Sequence, residues 1–384
     1  MNMKRYIANR FQHAGSGLSL DTEALAKYND IIDLSIGDTD FTTDEAIIEK
    51  AYLDAKAGHT HYGDPKGDPE LISAVCGAWQ ADFTQELHPD HVLVTASSCL
   101  GMALAMLTIL NPGDEVIVFS PYFAMYRSQI ELAGGVCVDV PTYASENYAI
   151  SEERLRAAIT PKTKAIIFNN PTNPTGMAYD RSTLELLAKI AQEYDLLVAA
   201  DEIYTTYIYE GDYIPLRTLP GMLDRTITLN SFSKNFLMTG WRVGVIIAES
   251  TLIATMNQIN GSLIYSAPSI SQRAAIAALD NRARIRERYI KAYRERIFYS
   301  ADRLEKIPYL SLVRPKGTFY LFPGVEKTGL SAGEFCKELL ERAHILVSPG
   351  DVFGLAGKQH FRIACTVDIE KLREAYDRME ALRF

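Results

Sequence analysis

From about residue 90 to residue 250 the chain alternates short apolar runs with longer stretches of helical spacing. Residues 92–95 form a β-type run. Residues 98–110 read as a helix that stops at Asn111-Pro112-Gly113, where proline and glycine end regular structure. A strand at 115–119, a helical piece at 124–132, a break at Gly134-Gly135 and a strand at 136–140 follow. Residues 164–168 and 196–200 are continuous apolar runs, as in parallel strands covered on both faces, and the amphipathic stretch 182–194 lies between them. Runs at 226–229 and 243–248 complete the set. The alternation predicts an α/β large domain with a mainly parallel sheet flanked by helices.

After Pro268 the pattern changes. Residues 285–307 read as one long charged helix leading into a smaller α+β domain. Strands are expected there at 311–314, 318–322, 345–347 and 361–365, with helices at 332–342 and from Ile369 onward. The expected organisation is a large domain over 46–282 and a small domain built from 1–45 and 283–384, the first 45 residues alternatively meeting a partner. There are no internal repeats and no low-complexity linkers.

A length of 384 residues suits two lobes, and 47% hydrophobic with 23% charged residues is ordinary for a globular protein. The net charge of −9, without a long run of one sign, argues against nucleic acid as a partner. The longest apolar stretches, such as 102–110, are too short to span a bilayer, and residues 1–21 lack an apolar signal core. Five cysteines without CxxC spacing point to a reducing compartment, so the expectation is a cytoplasmic protein away from membranes. His59 and His61 form an HxH pair with no suitably spaced third ligand, and no metal is expected.

The candidate chemistry lies at strand ends, where open parallel sheets bind ligands. Ser231-Phe232-Ser233-Lys234 and Gly240-Trp241-Arg242-Val243-Gly244 set a lysine among hydroxyls and an arginine. An amine condenses with an aldehyde to give a Schiff base, and Ser231, Ser233 and Arg242 are donors that suit a phosphate monoester. Pyridoxal 5′-phosphate carries both groups. Ser97 and Ser98 open a helix and suit either a phosphate or an ordinary N-cap. The segment 169–176, with two Asn-Pro pairs and a glycine, is a rigid loop that can fix the amide of Asn173. Asp201 at the end of 196–200 can pair with a protonated pyridine nitrogen, whereas Glu202 reads as a helix-capping acid.

Taken in order, these segments resemble the class I/II aminotransferases of pyridoxal-phosphate fold type I, over nearly the whole chain. Further markers are Leu34-Ser35-Ile36-Gly37, Tyr62 with Gly67, Asp201-Glu202-Ile203-Tyr204, Lys316-Gly317-Thr318-Phe319-Tyr320, Pro349-Gly350-Asp351-Val352-Phe353-Gly354 and Phe361-Arg362-Ile363. The resemblance implies that Lys234 is the Schiff-base lysine and proton shuttle and that Asp201 holds the pyridine nitrogen. Asn173 and Tyr204 would bind the phenolic oxygen. Ser97, Ser98, Ser231, Ser233 and Arg242 would hold the phosphate, and Phe123 would stack on the ring. Arg362 would clamp the substrate carboxylate as a two-point fork, with Gly37 and Asn173 also at the substrate. Tyr62 would reach the phosphate of a second subunit, which implies a homodimer with shared active sites. The implied reaction is ping-pong exchange of an amino group between an amino acid and a 2-oxo acid.

Ser97-Ser98 replaces the small residues common in relatives, and Cys99 stands where aspartate-preferring relatives carry a lysine. That departure predicts aspartate as a poorer donor than at least one larger or less acidic amino acid. The same fold also supports a C–S β-lyase or a specialised oxidase or cyclase. A regulatory pyridoxal-phosphate-binding domain is the non-enzyme alternative, against which stands the lack of a helix-turn-helix segment.

Overall fold

The structure is a computed structural model that describes residues 3–8 and 27–384. Its strands, in chain order, are β1 (Ile32–Asp33), β2 (Val92–Thr95), β3 (Glu115–Ser120), β4 (Val136–Pro141), β5 (Thr163–Asn169) and β6 (Leu197–Asp201). They continue with β7 (Thr226–Ser231), β8 (Gly244–Ile247), β9 (Tyr320–Leu321), β10 (Ile345–Leu346), β11 (Ser348–Pro349) and β12 (Phe361–Ala364). Seven of them form one sheet in the order β2-β8-β7-β6-β5-β3-β4. Every pairing in it is parallel except those of β8, which runs antiparallel to both β2 and β7.

Side chains of these strands alternate between two apolar layers, as the two-residue period requires. On β5, Ala165 and Ile167 pack with Met102, Ile130 and Met256, while Ile166 and Phe168 pack with Leu155, Leu184 and Leu187. Both faces are therefore covered, which is why these strands read as continuous apolar runs. The helix Ser98–Ile109 is apolar nearly all round because it lies inside one layer. The helix Arg181–Glu193 has one apolar face and is capped by Asp180, whose carboxylate accepts from Thr183 N.

The smaller sheets join the two ends of the described chain. β1 pairs in parallel with β10, and β12 lies antiparallel between β11 and β9. The backbone of Leu34 continues the pairing on both sides, donating to Leu346 O and accepting from Ala364 N at 2.8 Å each. This carries Ser35, Ile36 and Gly37 to the carboxyl ends of the large-sheet strands. Of the segment 1–45, residues 1, 2 and 9–26 lie outside the described residues.

Several elements differ from the sequence expectation. The long helix runs Arg282–Leu304, three residues earlier than read, and ends before Pro308. No strand forms at 311–314; Ser311 makes a lone bridge with Gly324, and the Arg314 guanidinium turns to Asp302 and Glu305. Of the run 345–347 only residues 345–346 form a strand, β10, and β11 begins beyond it at Ser348. Helices Glu45–Lys56, Pro69–Phe83, Glu152–Ala158, Ser250–Leu263 and Ser269–Asp280 went unread in the sequence. Among the described residues no helix is long and apolar enough to cross a membrane.

Candidate active site

Asp201 ends β6 and is buried. Its Oδ2 accepts a 2.5 Å hydrogen bond from the Tyr126 hydroxyl, whereas its Oδ1 is buried without a partner. Burial pushes the Asp201 carboxyl up to about 6, against the opposing pull of the Tyr126 phenol and the Ile203 amide. Tyr126 was missed in the sequence. The available signal was its place three residues after Phe123, on the turn that opens the helix Met125–Leu132. Phe123 itself is half-buried, with its ring edge-on to Tyr126 at 5.6 Å.

The loop after β5 is fixed from Asn169, also unread in the sequence. Its side chain donates to Asp201 O at 2.8 Å and accepts from Asn173 N at 2.7 Å. The Asn173 amide then lies between two groups. Its Oδ1 accepts from Arg362 Nη1 at 3.0 Å, and its Nδ2 is 3.5 Å from the Tyr204 hydroxyl. Tyr204 and Tyr320 share a 3.1 Å hydroxyl contact in the buried interior.

Arg362 on β12 is buried, with 4% of its surface exposed. It donates to Ser35 O at 2.5 Å and lies over the rings of Tyr320 at 4.6 Å and Phe353 at 4.9 Å. No carboxylate of the described residues lies within 4.0 Å of it, and its Nε is buried without a partner. A buried guanidinium left in that state is costly, and a carboxylate ligand removes the cost.

Lys234 follows β7 in a single helical turn, Phe232–Asn235. It is half-buried; its Nζ donates to Gly37 O and lies 5.9 Å from the centre of the Phe319 ring. Glycine at 37 is a steric requirement, because a Cβ there would lie 1.8 Å from the Tyr320 hydroxyl oxygen. Gly244 acts similarly across the sheet. It pairs with Thr95 on one side and Ser231 on the other, and a Cβ would lie 2.6 Å from Ser98 N. That close approach brings the start of the helix Ser98–Ile109 beside Ser231 and Ser233.

Ser97 serves as the N-cap of that helix, accepting from Leu100 N at 3.1 Å, and Ser231 accepts from Ser233 N at 3.1 Å. Both readings of Ser97 thus stay compatible, since the capping bond leaves the Ser97 hydroxyl proton free. Arg242 is exposed in a left-handed conformation, φ 54°, and donates to Thr239 O at 2.8 Å. Cys99, next to Ser98, is exposed on its residue surface, but protein packed around its sulfur, with Asp201 adding to the effect and Arg242 opposing it, pushes its thiol up. Tyr62 stands apart, 86% exposed, with its ring edge-on to Tyr265 at 5.0 Å. Among the described residues no cluster of His, Cys, Asp and Glu could hold a metal.

Comparison with known proteins accounts for this arrangement. The family model "Aminotransferase class I and II" matches residues 29–379. The chain belongs to that family. It is 39% identical over 364 residues to an aspartate aminotransferase of Pyrococcus abyssi, covering 92% of each chain. It is 37% identical to aromatic-amino-acid aminotransferase 2 of Thermococcus litoralis, covering 91% of each. Among solved structures, Thermus thermophilus aspartate aminotransferase with maleate superposes with a TM-score of 0.93 at 33% identity, covering 97% of this chain and 98% of that one. The fold is that of pyridoxal-phosphate fold type I, and family members use pyridoxal 5′-phosphate. The residues fit that cofactor: the partnerless Oδ1 of Asp201 needs a donor, and Arg242 has no carboxylate within 4.0 Å among the described residues.

Proposed function

We propose that the protein moves the amino group of an α-amino acid to a 2-oxo acid with the residues above in specific roles. The carrying observation is the buried Arg362, bonded to Asn173 and left without an anion, on the same site as Lys234 and the partnerless oxygen of Asp201. Bound through its aldehyde to Lys234, the cofactor supplies an electron sink for the substrate's α-carbon.

The protein's own contribution is positioning and proton transfer. Ser97, Ser98, Ser231, Ser233 and Arg242 would hold the phosphate, and Phe123 would cover the ring. Asp201, through its partnerless Oδ1, would hold the ring nitrogen and favour positive charge there. Asn173 and Tyr204 would hold the phenolic oxygen. Arg362 and Asn173 hold the substrate carboxylate beside Gly37, which turns the α-hydrogen toward Lys234. Lys234 Nζ, freed as the amine once the substrate's amino group has taken its place, would accept that proton and give it back within the site. Gly37 O, which accepts from this amine, keeps it aimed across the site. Because amino donor and oxo acceptor use the same Arg362, they bind in turn, which is ping-pong order.

The exposure of Tyr62 supports its service in a second copy's site, and hence a homodimer with shared active sites. Residues 46–282 form the cofactor-holding lobe in this reading and 1–45 with 283–384 the smaller one. The −9 charge and cysteine usage favour a cytoplasmic location.

The test is reduction of the purified protein with borohydride followed by peptide mapping, alongside a donor panel with 2-oxoglutarate and pyruvate. Label on the peptide containing Lys234, with a new amino acid formed only when an acceptor is present, is expected. Label elsewhere, or ammonia and pyruvate released without an acceptor, overturns the assignment.

A further inference from the structure

Tyr320 touches more of this site than any role above assigns it. Its hydroxyl lies 3.1 Å from that of Tyr204. Its ring carries the Arg362 guanidinium at 4.6 Å, with Phe353 at 4.9 Å as the second aromatic neighbour. The same hydroxyl fills the space that a side chain at Gly37 would need, next to the carbonyl that receives the Lys234 amine. Tyr320 is 2% exposed and Tyr204 is 2% exposed, so water does not substitute freely for either contact.

We propose that Tyr320 is a positioning residue for the amino-transfer reaction, tying the carboxylate-binding Arg362 to the phenol of Tyr204 through its ring and its hydroxyl. The inference rests on the roles given above to Arg362 and Tyr204. The hydrogen-bond direction follows from the proton count. A phenol has one proton, so a Tyr204 that donates to the cofactor's phenolic oxygen accepts at its own oxygen. Tyr320 is then the donor in the 3.1 Å contact, and Asn173 Nδ2, at 3.5 Å, is the weaker one. A phenol that accepts a hydrogen bond is a better donor, and the effect is larger where water is excluded. The ring acts independently. It is a surface over which the guanidinium lies, and that contact helps set the direction of the fork offered to a carboxylate. One residue thus holds both ends of the substrate-to-cofactor line.

Two variants separate the two contacts. Tyr320→Phe keeps the ring and removes the donor; Tyr320→Leu removes both. Two readouts apply to cofactor-loaded protein: the pH midpoint of its visible absorbance, and the calorimetric dissociation constant of pentanoate as a carboxylate probe. Tyr320→Phe is expected to raise the midpoint by about 0.5 to 1 pH unit while pentanoate binding stays within about twofold. Tyr320→Leu is expected to raise the midpoint similarly and to weaken pentanoate about 5- to 30-fold. An unmoved midpoint in Tyr320→Phe, or unaltered pentanoate affinity in Tyr320→Leu, overturns the proposal. Equal losses of both readouts in the two variants also overturn it, since that is the mark of a packing role. Failure of the underlying site assignment looks different: the wild-type absorbance band would survive in Lys234→Ala, or Arg362→Lys would bind pentanoate normally.

Discussion

Removing the Tyr126 hydroxyl gives the sharpest test of how this site sets its charge. Asp201 is buried, with one oxygen bonded to Tyr126 at 2.5 Å and the other without a partner. Burial raises its carboxyl to about 6, and the phenol is the larger of the two influences that hold it from rising further. A hydrogen bond from a neutral donor to a buried charge contributes about 1.5–3 kcal/mol. Dividing by 1.36 kcal/mol per pH unit, its loss moves the carboxyl upward by roughly 1 to 2 units, toward about 7 to 8. In cofactor-free protein carrying carboxyl-13C aspartate, the resonance that Asp201→Asn removes should titrate that much higher in Tyr126→Phe than in wild type. If Asp201 holds the ring nitrogen as proposed, a proton between the two would lean toward the acid by the same free energy in the loaded enzyme. Turnover should therefore fall about 10- to 100-fold, with the KM for the amino donor changing far less. A titration midpoint displaced by less than a few tenths of a pH unit would refute the claim that Tyr126 tunes this acid.

Arg362→Lys keeps a positive charge but not a fork that reaches Asn173, Ser35 O and a carboxylate together; kcat/KM should drop by the equivalent of roughly 2–4 kcal/mol with cofactor absorbance nearly unchanged. Loss of bound cofactor in that variant would contradict the role. Mixed Lys234→Ala and Tyr62→Phe chains should show activity different from either parent, and the wild type should sediment as at least a dimer; a fully active monomer would sink the shared site. In a donor panel aspartate should be outperformed by at least one larger or less acidic amino acid, because Cys99 offers no cation for a second carboxylate, and aspartate as best donor would refute that inference.

The large sheet was legible because the middles of its central strands are covered on both faces, so stretches such as 165–168 and 198–200 appear as uninterrupted apolar runs. The antiparallel course of β8 was not legible. Direction depends on the connection and the pairing, and the apolar run 243–248 would read identically either way. The false strand at 311–314 failed for a local reason: Arg314 is drawn to Asp302 in the last turn of the long helix and to Glu305 just past its end, a contact far from any alternation rule. Within the site, Lys234, Asn173, Tyr204 and Arg362 could be named as candidates before the fold was known, and the fold brings them together. Tyr126, Tyr320 and Asn169 could not, because an aromatic or an amide looks like core or turn until its neighbour is known. Each acts on another residue of the site, and that dependence is set by folding distances rather than by spacing in sequence.

Two adjacent buried acids leave a signature in the stability of the cofactor-free protein. Burial raises Asp201 from 3.8 to about 6 and Glu202 from 4.5 to about 7. Both carboxyls therefore bind protons more tightly folded than unfolded. Stability contributed by their neutral forms is full below about pH 4 and is lost as pH rises through about 6 to 7. At 1.36 kcal/mol per unit, each shift corresponds to about 3 kcal/mol at pH 8, taken as an order of magnitude. Acids held low by ion pairs, such as Asp44 beside Arg284 and Asp54 beside Lys50 and Arg273, act in the opposite sense near pH 4, so the total curve is mixed. A difference measurement isolates the buried pair. Cofactor-free Asp201→Asn should gain on wild type between pH 5 and pH 8 by about 1–3 kcal/mol in denaturant unfolding. Glu202→Gln should show the same gain with its midpoint nearer 7. An offset equal at both pH values would mean that the folded protein does not bear the cost of this charge. A gain confined to Asp201→Asn would place the whole cost on Asp201 rather than on Glu202. Saturating pyridoxal 5′-phosphate should then reverse the comparison at pH 8, because a protonated ring nitrogen gives the wild-type carboxylate a partner that the amide cannot match.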